Sequence, residues 1–196
     1  MYIYLMRHGQ TDWNKGLKMQ GRSDIPLNET GLQQARDAAA GMRGIRFDRI
    51  FSSPLQRAAV TAGIVAEGRA IPVEVDERLT ELAFGRYEGL YRPEHPEVEV
   101  IFRNPASYIP PEGGESYQEL DVRCEAILHD LLAPLEDTCE NVLVCAHGGL
   151  FKGIVRHLLN RPLSEFWSDP PQANCSCTIV ECRDGRFTLL EQGRVF

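Results

Sequence analysis

Hydrophobic positions along the chain fall into two patterns: short unbroken runs, and longer stretches where every third or fourth residue is apolar. The first pattern predicts buried strands and the second amphipathic helices. Residues 1–6 form an unbroken, β-prone run that ends abruptly at Arg7-His8-Gly9. Residues 47–52 read as a second short strand, and 71–75 as a third, peripheral one, because Pro72 cannot donate to a central ladder. The near-continuous apolar run 141–146 predicts a central strand covered on both faces. Residues 175–182 and 186–190 read as a terminal hairpin turning at Asp184-Gly185.

Helical spacing fills the intervals. Thr30 and Gln33 read as a capping box opening a helix with Leu32, Ala35, Ala39 and Met42 inward. Ser53-Pro54 reads as N-cap and first position of the next helix, whose buried face is Leu55, Ala58, Ala62 and Val65. Ser116 and Glu119 form a second capping box before a long helix with Leu120, Cys124, Ile127, Leu128 and Leu131 inward. Leu150, Ile154 and Leu158 mark the last helix. Residues 87–114, rich in Pro, Gly and Glu, predict an excursion holding at most one short helix. With no repeat, low-complexity tract or linker, the expectation is a single α/β domain over 1–196. Its architecture would be a three-layer sandwich, helices on both faces of a mainly parallel sheet.

Composition adds constraints. A chain of 196 residues with 43% hydrophobic and 25% charged residues is long enough for a sizeable core. Its net charge of -7 argues against nucleic acid and anionic lipid as partners. That charge also repels anionic substrates, so a site for them must concentrate positive charge locally. No run approaches the ~20 apolar residues that span a bilayer. The first basic residue, Arg7, follows the apolar run instead of preceding it, which argues against a signal peptide. The six cysteines are expected to be reduced, small core residues of a cytoplasmic protein. Cys175-Ser176-Cys177 has no companion motif that would make it a metal or redox site.

Three strand ends carry unusual residues. Arg7-His8-Gly9 follows the first strand, Arg57 lies in the first turn after the second, and Ala146-His147-Gly148-Gly149 follows the central one. Each is separately consistent with a packing histidine or a solvated arginine. In a parallel sheet all three would share one edge, where ligands bind in open α/β folds. Two histidines and two arginines there form a small positive pocket suited to a phosphoryl group. Glu81, beyond the third strand, is either a surface glutamate or a proton donor to a leaving oxygen.

These residues belong to ordered blocks: Arg7-His8-Gly9-x-Thr11-x-x-Asn14, Gln20-Gly21-x-x-Asp24-x-Pro26-Leu27, Ser52-Ser53-Pro54-x-x-Arg57, Leu79-x-Glu81-x-x-Phe84-Gly85-x-x-Glu88-Gly89, Pro111-x-Gly113-Gly114-Glu115-Ser116 and Ala146-His147-Gly148-Gly149. In content and order the chain resembles the histidine phosphatase superfamily, which includes cofactor-dependent phosphoglycerate mutases. The resemblance implies a phosphoglycerate mutase-like fold and a covalent mechanism without metal or cofactor. His8 would be the nucleophile, its tautomer set by a backbone carbonyl, and Glu81 the acid and then the base. Arg7, Asn14, Arg57 and His147 would hold the phosphoryl oxygens, and Gln20 and Gly21 would contact substrate. Glu88 competes for the acid role, but Glu81 matches the family position.

Mutases of this family are usually longer and place arginine after the catalytic glutamate, with an arginine pair in the insertion. Here Leu82 follows Glu81, and Arg92 and Arg103 are well separated, so the clustered charge wanted by a carboxylate-bearing substrate is not expected. The chain therefore resembles the short phosphatase branch, with water as acceptor, a small phosphorylated metabolite as substrate and α-ribazole phosphate as one candidate. The alternatives are a phosphoglycerate mutase, or a non-catalytic phospho-ligand binding protein, usually marked by loss of a site histidine or arginine. Tyr91, Phe102, Tyr108 and Ile109 either line a leaving-group pocket or pack on the core. The terminal region offers an edge for a homodimer.

Overall fold

The two apolar runs 1–6 and 141–146 become neighbouring strands at the centre of the sheet. A computed structural model describes residues 1–196. Strands β1 (Tyr2–Arg7), β2 (Arg49–Ser52), β3 (Val73–Val75), β4 (Asn141–Ala146), β5 (Cys177–Arg183) and β6 (Arg186–Arg194) are ordered β3-β2-β4-β1-β5-β6. The first four strands run parallel, and β5 and β6 are antiparallel additions. Pro72 does leave β3 short and at the edge.

Alternation along the strands divides the core in two. Ile3, Leu5, Val142, Val144 and Ala146 face one layer, which includes α5 (Tyr117–Ala126) and α6 (Gly148–Leu158). Met6, Leu143 and Cys145 face the other, formed by α2 (Glu29–Gly41) and α3 (Gln56–Ala66). Helices on both faces of a mainly parallel sheet are the expected sandwich. The hairpin turns at Asp184 (φ 51°) and Gly185 (φ 69°), the paired left-handed conformations of a tight primed turn. All six cysteines are free.

Several local expectations shift. Asn28, not Thr30, caps α2, its side-chain oxygen accepting from Gly31 N at 2.9 Å. Gly31 packs against the backbone of Gln10, where a Cβ would collide, so the buried face runs through Gly31, Ala35, Ala38 and Met42. Leu32 and Ala39 are turned partly outward. Helix α3 starts at Gln56 rather than Pro54, where the Asp24 carboxylate accepts from Gln56 N at 2.7 Å; Ser53 Oγ accepts from Leu55 N just before it. The Ser116–Glu119 box caps α5 as expected. Beyond it the helix widens into a π-turn over Ile127–Leu132, and its extra residue per turn buries Leu132 in place of Leu131. Leu158 at the end of α6 is only partly buried. The excursion holds one short α-helix, α4 (Pro96–Arg103), among 3-10 turns. A further short helix, α1 (Asp12–Lys15), follows β1.

Candidate active site

In the β1–β4 ladder Arg7 stands opposite Ala146, so His8 and His147 leave adjacent parallel strands at the same edge. Their ring centroids are 5.2 Å apart. Gly9 lets the chain turn beneath α2: a Cβ there would sit 2.5 Å from the Gly31 carbonyl oxygen.

His8 is buried, and its Nδ1 lies 2.7 Å from the Gly9 carbonyl oxygen. A carbonyl only accepts, so Nδ1 carries the proton and Nε2 presents a lone pair. Burial, reinforced by the Arg7 and Arg57 charges, holds the His8 pKa well below the ordinary imidazole value. The ring is therefore neutral near pH 7, as a nucleophile requires.

His147 is also buried, with its pKa lowered by burial and then by Arg57, His8 and Arg7. Its Nε2 is 2.8 Å from Ser53 Oγ, and that hydroxyl already accepts from Leu55 N at 3.2 Å. The Ser53 hydroxyl has no other acceptor for its proton, so it donates to Nε2, which places the ring proton on Nδ1. Arg7 donates to the Gln172 carbonyl at 2.6 Å. Arg57, fully buried although its sequence position suggested a solvated face, donates to the Ser23 and Gly21 carbonyls at 2.7 Å each. Buried polar groups are normally paired, yet Arg7 Nε, Arg57 Nε and His147 Nδ1 have no protein acceptor. Three orphaned donors beside a neutral nucleophile fit a ligand with several acceptor oxygens, such as a phosphoryl group.

Glu81 lies over the start of α6, accepting from Leu82 N and Leu150 N at 2.9 Å and from Gly149 N at 3.0 Å. Arg7, His8, Asn14, Gln20, Gly21, Arg57 and Glu81 line one cleft of about 530 Å³, while His147 is enclosed beside it. The Asn14 side-chain oxygen accepts from Thr11 N, leaving its amide nitrogen as donor. Gln20 accepts from Thr11 Oγ1 at 2.8 Å. Gly21, at φ +53°, abuts the Glu88 carboxylate where a side chain would collide. Glu88 is absent from the cleft lining, its oxygens accepting from Arg22 N, Ser23 N, Ser23 Oγ and Phe84 N.

The cleft extends beyond the cradle. Lys18, Arg92 and Lys152 share its wall with Phe84, Phe102 and Trp167. Arg92 donates to Glu99 at 2.8 Å and lies 3.8 Å over the Phe102 ring, a cation–π contact. Lys152 donates to the Asp169 and Pro170 carbonyls at 2.7 and 2.8 Å, leaving one of its three N–H groups. The expectation that charge does not cluster here is thus overturned. Arg103 is exposed and pairs with Glu99, but two lysines distant in sequence join Arg92. Of the four candidate leaving-group residues only Phe102 lines the cleft; Tyr108 is buried and Ile109 is 84% exposed.

Sequence reasoning missed Ser53, Gln172, Lys18 and Lys152. Gln172 holds Arg7 through a backbone carbonyl, which leaves no side-chain signal. Lys152 lies three and four residues after Gly149 and Gly148, and that helical spacing was its available signal. No three His, Cys, Asp or Glu side chains come together as metal ligands, and no helix is long and apolar enough to cross a membrane.

Comparison with known proteins agrees with this geometry. The family described as histidine phosphatase superfamily (branch 1) matches residues 3–194. The adenosylcobalamin/α-ribazole phosphatase of Salmonella typhimurium is 31% identical over 193 residues, covering 96% of this chain and 94% of that protein. Bacillus stearothermophilus YhfR superposes with a TM-score of 0.89 at 32% identity, covering 100% of this chain and 98% of that one. A mycobacterial glucosyl-3-phosphoglycerate phosphatase solved with VO3 superposes with a TM-score of 0.84 at 30% identity, covering 98% of each chain. The chain therefore belongs to branch 1 of the histidine phosphatase superfamily and is a phosphatase of small phosphorylated metabolites.

Proposed function

We propose that His8 Nε2 attacks the phosphorus of a phosphomonoester, forming an N–P bond as the ester P–O bond breaks. Glu81 gives its proton to the departing alkoxide, then takes one from the water that cleaves the phosphohistidine. Arg7, Arg57, Asn14 and the Nδ1–H of His147 hold the nonbridging oxygens through both steps. The carrying observation is the set of orphaned buried donors at Arg7, Arg57 and His147 next to the neutral His8 ring. Residues 1–196 would act as one domain, with 87–114 as its specificity segment. Six free cysteines suit a reducing cytoplasm, and β6, with one edge unpaired, is the surface for any homodimer.

Within this reading, the alcohol released carries negative charge of its own. Lys18 and Lys152 supply two cations to the cleft outside the cradle; Arg92 beside them is paired with Glu99, and the Asp169 carboxylate in the same lining is engaged by Arg161 at 2.9 Å. A carboxylate-bearing ester, the class to which glucosyl-3-phosphoglycerate belongs, is favoured over α-ribazole phosphate.

The test is phosphate release in excess EDTA from O-phosphoserine, 3-phosphoglycerate, glycerol 3-phosphate, α-ribazole phosphate and p-nitrophenyl phosphate. A charge-assisted hydrogen bond worth about 1.5–3 kcal/mol corresponds to roughly 10- to 100-fold in kcat/KM favouring the carboxylates. An acid-labile phosphoenzyme that disappears in His8→Ala is the expected intermediate. Full activity in His8→Ala would remove the nucleophile assignment, and a preference for neutral leaving groups would remove the charge argument. Isomerisation of 3-phosphoglycerate dependent on a bisphosphate primer would instead reveal a mutase.

A further inference from the structure

Resting on the reading of Glu81 as the acid, we infer that Glu115 is a positioning residue that sets where Glu81 stands. Glu115 is a buried carboxylate outside the cleft lining. Arg123 forks onto it, Nε to Oε1 at 2.9 Å and Nη2 to Oε2 at 2.6 Å. Arg22 adds a third charge-assisted bond, Nη2 to Oε2 at 3.1 Å.

The remaining donors of these arginines grip the backbone that carries Glu81. Arg123 Nη1 donates to the Arg78 carbonyl at 2.8 Å and the Thr80 carbonyl at 2.6 Å. Arg22 Nε donates to the Glu81 carbonyl at 3.2 Å. The Glu115 backbone N–H donates to the Ala83 carbonyl at 2.9 Å. Two carbonyls before the acid, its own, and that of Ala83 after it are thus tied to Glu115 and its two arginines.

The cradle loop beside Arg22 has a hold of its own. Gly21 and Ser23, flanking Arg22, supply the carbonyls that hold Arg57. Glu88 fixes the same loop by accepting from Arg22 N and Ser23 N, and fixes the acid segment by accepting from Phe84 N. The cradle loop is thus held by Glu88 as well, and the loss of Glu115, which does not touch substrate, falls on the segment carrying the acid. A displacement near 1 Å between acid and leaving oxygen costs about 10²-fold.

The test compares kcat/KM for p-nitrophenyl phosphate, whose leaving group needs little protonation, with that for alkyl phosphates, whose leaving group needs it most. Glu115→Gln removes the charge that organises both arginines. It should lower kcat/KM for alkyl phosphates about 10- to 100-fold and for p-nitrophenyl phosphate less than about threefold. The partly exposed Arg22 provides a variant gentler on folding: Arg22→Ala should show the same asymmetry with a smaller loss. In a Glu81→Gln background, Glu115→Gln should add little, because one function has already been lost.

An equal loss for both esters in Glu115→Gln and Arg22→Ala, with Glu81→Gln still leaving-group dependent, would overturn the positioning role and leave the acid in place. A Glu81→Gln profile flat across leaving groups would instead overturn the acid assignment and the inference that rests on it.

Discussion

Replacing Gly149 with alanine would place a Cβ 2.7 Å from Oε1 of Glu81 and 3.3 Å from its Cδ. Ordinary contact begins near 3.4 Å, so the carboxylate must retreat by about 0.7 Å. The retreat lengthens its bonds from Gly149 N at 3.0 Å and Leu150 N at 2.9 Å, which hold it over the α6 N-terminus. The side chain can move because the clash is with its flexible end, so the fold should survive while the acid loses its aim. General acid catalysis contributes about 10²–10⁴-fold, and a shift approaching 1 Å removes about 10² of it. The expected loss for alkyl phosphates is therefore on the order of 10- to 100-fold, with p-nitrophenyl phosphate much less affected.

Gly148 supplies the control. A Cβ there would lie 3.6 Å from Arg7 Nε, an ordinary contact. Both positions lie in the first turn of α6, so alanine should add less than the roughly 1 kcal/mol it gains in a helix interior. Gly148→Ala should thus keep the unmodified enzyme's dependence on the leaving group, whereas Gly149→Ala should be folded and slow with alkyl phosphates. Steady-state kinetics with the two ester classes, alongside urea unfolding of each variant, separates these outcomes. If Gly149→Ala hydrolysed alkyl phosphates at the unmodified rate, the placement of Glu81 would not be limiting and the reasoning would be wrong.

The buried histidines predict a pH-dependent stability. Folded pKa values below the unfolded value of about 6.5 mean that the unfolded chain binds more protons, so stability is intact above that pH and lost as pH falls below it. Each histidine should account for a loss of at most on the order of 1 kcal/mol between about pH 7.5 and 5.5, and His8→Gln should remove one such share. Urea unfolding at the two pH values measures it, and an unchanged slope in His8→Gln would contradict the burial argument. Ser53→Ala should release the His147 tautomer and weaken inhibition by vanadate about 10-fold, roughly one charge-assisted hydrogen bond. Unchanged inhibition would show that Ser53 does not direct the Nδ1–H.

What the sequence made legible was whatever the covalent chain itself imposes. The runs at 1–6 and 141–146 had to be buried strands, parallel order had to bring His8 and His147 to one edge, and Asp184-Gly185 had to turn the hairpin. Their partners were decided by tertiary geometry. Arg57 looked like a solvated residue because periodicity counts apolar side chains and cannot register carbonyls waiting at Gly21 and Ser23. Ser53 reads as a helix cap by local rules, and its hydroxyl does accept from Leu55 N; that it also meets His147 Nε2 is set by tertiary geometry. Lys18, Arg92 and Lys152 lie up to 134 residues apart in sequence, so their shared wall could not be inferred from spacing.

That division has a chemical reason. Attack on phosphorus needs a neutral histidine among positive charges, and such a cluster is self-repelling when buried. Backbone carbonyls relieve part of the repulsion: those of Gln172, Ser23 and Gly21 accept from the two arginines, and that of Gly9 fixes the nucleophile. Carbonyls are the same at every residue type, so this role leaves no mark on side-chain identity, even where Gly9 and Gly21 are glycines for want of room for a Cβ. The parts of the site that bear reactive side chains are therefore written in the sequence. The parts that hold those side chains at their working charge and angle follow from the loop geometry.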